Sequence, residues 1–160
     1  MVKDTEIGKN VILQGKNIDF SVQEIYKLFK RSADEAGYHY QEKKHQDKSD
    51  KYGREVSFEI TLTKEFEGYA KAEFNITITM SALKNVGGKQ RGNIKIFISG
   101  KLYYDLKDSY EKNTASKFLS KVFLAYGGKD RLDKYKDPAK DFKKGLVNQL
   151  KELCDFYETT

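Results

Sequence analysis

The side chains that most often carry chemistry are scarce in this chain of 160 residues, whose only histidines are His39 and His45 and whose only cysteine is Cys154. On an extended strand, a spacing of six puts two side chains on one face but roughly 20 Å apart. One metal ion, with bonds near ~2.1 Å, cannot bridge that gap. Cys154 follows Leu150 and Leu153 on the apolar side of a helical pattern, where a buried structural thiol is expected. A nucleophilic thiol would need a base beside it, and nothing in the sequence brings either histidine there. A single cysteine also forms no internal disulfide and no Cys-rich zinc site. Gly87-Gly88-Lys89 precedes a strand and Gly127-Gly128-Lys129 follows a helix. Neither has the strand–loop–helix setting in which backbone N–H groups cradle phosphates. No metal, cofactor or catalytic residue is assigned, and an enzyme is the least supported class.

One constellation remains. No acidic residue lies between Glu73 and Asp105, whereas Lys84, Lys89, Arg91, Lys95 and Lys101 all fall there. Residues 1–50 carry no net charge, residues 51–107 carry +4 and residues 108–160 carry +2, within a total of +6. Lys84, Lys89 and Arg91 sit in or beside a connection, 84–93, that Gly87, Gly88 and Gly92 are expected to make flexible. In the strand that follows, alternation places Lys95, Phe97, Ser99, Lys101 and Tyr103 on one wet face. Lysines for phosphates and rings for stacked bases are what single-stranded RNA or DNA binding requires. The candidate binding residues are therefore Lys84, Lys89, Arg91, Lys95, Phe97, Lys101 and Tyr103. The partner expected on this reading is RNA, a ribonucleoprotein or an acidic protein. The alternative is that Phe97 and Tyr103 pack under a neighbouring helix or in a homodimer interface.

These residues must be positioned by elements that the apolar periods disclose. Val11-Ile12-Leu13 and Ile18 predict a short strand, with Gly15 and Asn17 at turn or bulge positions. Ser21 and Glu24 form a capping box. The stripe Val22, Ile25, Phe29, Ala33, Ala36, closed by Gly37, predicts a helix over about 21–36. A polar edge strand is expected at about 38–47. Val56, Phe58, Ile60 and Leu62 alternate in a second long strand; Ala70, Ala72, Phe74, Ile76, Ile78 and Met80 do so in a third. Residues 64–68 form the expected hairpin loop between them. Ile94, Ile96, Ile98, Gly100, Leu102, Tyr104 and Leu106 mark another strand. One polar face per strand implies an antiparallel sheet of four to five strands covered on one side. Ala115, Phe118, Leu119, Val122, Phe123 and Tyr126 predict a helix, as do Phe142, Leu146, Leu150, Leu153 and Tyr157. Asp137 is the expected N-cap of the second, with Pro138 at its first helical position. The fold class is thus α+β, with helices packed on one face of the sheet and a long C-terminal helix.

A short strand, a helix opened by Asn17-Ile18-Asp19-Phe20-Ser21-Val22-Gln23-Glu24-Ile25-Tyr26, an antiparallel meander and a long last helix resemble the helix-grip architecture of START and Bet v 1-like proteins. The resemblance implies an apolar small molecule held between sheet and last helix. The small residues Ala70, Ala72 and Gly100 could leave room for it, or could admit a large ring such as Phe142. The chain departs from that pattern in having few strands and an extra helix at about 113–126, and no ligand-contacting residue carries over.

Composition bounds the rest. The length fits one domain, 1–160. With 34% charged residues, no run approaches the roughly 20 apolar residues of a membrane span. Eleven Tyr and ten Phe set the chain apart from disordered polyelectrolytes. The opening Met1-Val2-Lys3-Asp4-Thr5-Glu6 has no apolar signal core, so a cytoplasmic protein is expected. Three function classes follow: an RNA-docking module, a helix-grip carrier, and a structural or accessory interaction subunit.

Overall fold

The computed structural model describes residues 3–50, 53–66, 70–104, 128–154 and 156–159. Seven strands form one antiparallel sheet: β1 (Lys3–Glu6), β2 (Val11–Phe20), β3 (His39–Asp50), β4 (Gly53–Phe66), β5 (Ala70–Val86), β6 (Lys89–Tyr104) and β7 (Tyr157–Thr159). Their order is β3-β4-β5-β6-β2-β7. Short β1 lies end to end with β2 along the same edge of β6. The fold is the expected α+β class, and β1 and β7 take its strand number beyond four or five. Among the described residues the helices are α1 (Val22–Ala36) and α2 (Gly128–Leu153).

Helix α1 forms where its caps and stripe predict. The Glu24 N–H donates to Ser21 Oγ at 3.3 Å, and Gly37 closes the helix at φ 79°. It links β2 to β3, which three strands separate in the sheet, so it must cross the sheet. Ile25, Leu28, Phe29 and Ala33 are buried beneath it. The register stacks Val56, Met80 and Ile94; Phe58, Ile78 and Ile96; and Ile60, Ile76 and Ile98 in rows on the face the helices cover. Each large apolar side chain so buried contributes about 1.5–3 kcal/mol.

Helix α2 corrects the sequence reading. It starts at Gly128 rather than at Asp137, and Pro138 lies inside it. An interior proline removes a backbone hydrogen bond, but packing on both sides of it outweighs that loss. Tyr135 stacks on Phe66 at 5.3 Å, and Ala139 is wholly buried. Further along, Phe142 stacks on Tyr38 at 4.3 Å, while Leu146, Val147 and Leu150 complete the buried face. The helix ends at Leu153, so Tyr157 belongs to β7 and pairs with Gln14. Cys154 is buried, as expected.

Other boundaries also move. β4 runs on to Phe66, paired with Ala70, which leaves only 67 and 68 of the expected loop, both outside the described residues. The helix expected at about 113–126, and Leu106, also lie outside them. Gly100 is filled by Phe74, not Phe142: a Cβ there would lie 2.6 Å from the Phe74 ring and 3.3 Å from Ile7 Cβ. Among the described residues no helix is long and apolar enough to cross a membrane.

Candidate nucleic-acid interface

The stretch 84–93 is not a flexible connection. β5 continues to Val86 and β6 begins at Lys89, joined by the two-residue turn Gly87-Gly88. Both turn residues have positive φ, 55° and 83°, the geometry that twists with a hairpin and that glycine adopts without a Cβ clash. The hairpin is also tied down at its root. Phe20 pairs with Gln90 along β2, and Gln90 Oε1 accepts the Val22 N–H at 3.1 Å.

β6 is the regular strand of the set. The register shifts on either side of it put the extra residues into β2, between Gly15 and Ile18, and into β5, between Ser81 and Lys84. Alternation therefore runs unbroken along β6, so Lys89, Arg91, Lys95, Phe97, Lys101 and Tyr103 share the face opposite the buried row. At ~3.4 Å per residue this line spans roughly 48 Å. Lys84 joins it from β5, opposite Arg91. The lysines and Arg91 are exposed, while Phe97 and Tyr103 are partly exposed. Among the described residues no helix packs on this face.

The two bulges flank one point on β6. Each contains a residue other than glycine at positive φ, Asn17 at 51° and Ala82 at 53°. Between them lies Gly92, where a Cβ would come within 2.8 Å of the Ser81 carbonyl oxygen and 3.1 Å of that of Ala82. Bulges bend and twist a strand locally, and beside this pair the sheet is hollowed. A concavity of about 450 Å³ is lined by Gln14, Lys16, Thr79, Ser81, Asn93 and Lys95 among others. Asn93 Oδ1 accepts the Asn17 N–H at 2.9 Å, which holds the β2 bulge to β6. Phe97 stands two positions beyond Lys95 on the same face of β6. Gly15 and Asn17 are legible in the sequence as turn or bulge positions, but the grouping of Gln14, Lys16, Thr79, Ser81 and Asn93 around them is not. The register that brings them together is not written in the linear chain.

Cross-strand neighbours also redistribute the charge. The interval 74–104 has no acid of its own, but adjacent strands supply several. Asp19 pairs with Arg91 at 2.6 Å, and each holds the other's charged form: the guanidinium draws the carboxyl below its ordinary range, and the carboxylate raises Arg91. Lys101 lies between Glu73 and Glu6 in the register, and Tyr103 between Lys71 and Asp4. Lys95 differs, with Thr79 and Gln14 as neighbours, and Phe97 lies between Thr77 and Ile12. The part of the face nearest the bulges is thus cationic and hydrogen-bonding, and the part near β1 is mixed in sign.

The histidines are separated by more than distance. A bulge between Glu42 and Lys44 inverts the alternation of β3, so His39 pairs with Thr63 and His45 with Phe58. They therefore lie on opposite faces rather than one. His45 approaches Glu42 at 3.5 Å and the Phe58 ring at 6.4 Å. Among the described residues no three His, Cys, Asp or Glu side chains converge as metal ligands would. Every buried side-chain nitrogen or oxygen described has a hydrogen-bond partner, so no orphaned polar atom marks an interior site. Compared with known proteins, the chain matches no protein-family model and no curated protein.

Proposed function

We propose that this protein is a non-catalytic module that binds single-stranded RNA at the bulged part of its uncovered sheet face. The observation that carries the reading is the concavity between the two bulges, with Lys16 and Lys95 among its lining residues and Phe97 beside it. The lysines would meet phosphates, the amide and hydroxyl side chains of Asn93, Ser81 and Thr79 would meet base edges, and Phe97 would stack a base. Lys84 and Lys89 extend the cationic track along the hairpin. Lys101 lies between the carboxylates of Glu73 and Glu6 in the register, and Tyr103 lies beside Asp4; carboxylates repel phosphate, so these two contribute least. Arg91 contributes less than its charge suggests because Asp19 occupies its guanidinium.

Fluorescence anisotropy with a labelled 20-mer RNA tests the reading. Phe97→Ala and Lys95→Ala are expected to weaken binding, and Lys101→Ala to leave it nearly unchanged. Equal losses at Lys95 and Lys101 would place the RNA elsewhere on the sheet.

A further inference from the structure

A second cationic concavity, of about 440 Å³, lies at the opposite side of the core, between α2 and the break that separates β1 from β2. Lys9, Lys140, Lys143, Lys144 and Lys151 all line it, and among the described residues no carboxylate does. Its apolar walls come from Ile7, Val11 and Val147. We infer that this cleft binds a compact multivalent phosphate, such as a polyphosphate chain or the phosphates of a nucleotide.

Three observations converge. First, the cleft is built rather than incidental: Lys143 is 5% exposed, and its Nζ donates to the carbonyls of Ile7, at 3.2 Å, and of Lys9. That ammonium fixes the β1–β2 break against α2 and sets positive charge in the wall. Second, Lys140 and Lys144 are spaced i, i+4, with Lys151 two turns further along the same side. Like charges at that spacing repel one another and destabilise a helix, a cost that a bound anion would reverse. Third, the acid nearest these lysines in α2 is turned to another groove. Asp141 lines a different groove, against Ser32 and Glu35 of α1, while the lysines face the cleft. The volume lies within the ~300–1,000 Å³ of small-ligand sites.

The inference rests on residues separate from the proposed RNA face, so each can fail alone. Isothermal titration of the full chain with tripolyphosphate, at about 150 mM salt where loose surface charge is screened, should give saturable one-site binding. Lys140→Gln with Lys144→Gln should weaken it by roughly tenfold or more, as expected for two lost ion pairs. Both lysines are exposed, so the doubly substituted chain should keep its melting temperature. Phe97→Ala should leave tripolyphosphate binding unchanged even where it abolishes RNA binding. ATP in place of tripolyphosphate separates the two sources: tighter binding assigns a nucleotide, and equal or weaker binding a phosphate chain alone. No saturable heat up to millimolar tripolyphosphate, or binding indifferent to the double substitution, would overturn the inference.

Discussion

Asp19 and Arg91 face each other across the β2–β6 ladder and share two hydrogen bonds, from Arg91 Nε to Asp19 Oδ1 at 2.6 Å and from Nη2 to Oδ2 at 3.2 Å. The guanidinium of the hairpin is thereby held by a carboxylate from another strand. On the RNA-binding account this pair restrains affinity. Asp19→Asn keeps the shape and removes the charge, freeing Arg91 for phosphate. Binding should tighten, and the dependence of log K on log salt should steepen by about 0.7, the value for one added single-strand phosphate contact. An unchanged slope in anisotropy titrations would mean that Arg91 does not reach the strand.

Tyr38 sets an alkaline limit on stability. Burial, with the ring packed against Phe142 and Phe74, pushes its hydroxyl from 10.0 up to about 12. The unfolded chain releases this proton near 10, while the folded chain keeps it until about 12. The neutral hydroxyl's contribution is therefore full below pH 10 and is lost as pH rises through that window. Tyr38→Phe has nothing to titrate there, so its stability should fall less steeply with pH. Tyr26 and Tyr40 are raised in the same direction and will leave a residual slope. Urea unfolding at several alkaline pH values measures this; parallel losses in both proteins would remove Tyr38 from the account.

Two glycines should respond to alanine with opposite signs. At Gly145, inside α2, an added Cβ meets nothing within 4 Å. Gly145→Ala should stabilise the protein by about 0.5–1 kcal/mol, raising the melting temperature by roughly 1–4 °C. At Gly92 the added carbon would press on backbone carbonyls of the β5 bulge. Gly92→Ala should cost about 1–3 kcal/mol, as overpacking does, and should weaken RNA binding by distorting the concavity. Equal melting temperatures for the two variants would contradict the close approach at Gly92.

Much of this architecture could be read from side-chain periods. The alternation at Phe58–Leu62 and Ala70–Met80, and the Ser21 and Gly37 caps, predict elements that form, because burial acts on each pattern directly. What escaped depends on contacts between distant residues. Ala82 carries no signal that it will take positive φ, and Lys43 none that a bulge beside it will divide the histidines between two faces. Pro138 reads as a helix start, yet packing of Tyr135 and Ala139 carries the helix through it. Lys143 reads as surface, although two backbone carbonyls hold its buried ammonium. For the candidate site, alternation along β6 correctly gathered Lys95, Phe97, Lys101 and Tyr103 on one face. The acid-free run misled because Asp19, Glu73 and Glu6 are distant in sequence and adjacent in the ladder.

The salt dependence of RNA binding is the most direct test of the claim that the bulged sheet face is the interface. In anisotropy titrations of a labelled 20-mer RNA from about 50 mM salt upward, Lys16→Ala with Lys95→Ala should make the slope shallower by about 1.4, for two lost single-strand contacts. Phe97→Ala should weaken binding by about 1–3 kcal/mol, the worth of one stacked base, with the slope unchanged. A wild-type protein that shows no binding at the lowest salt and high micromolar concentration would contradict the account outright.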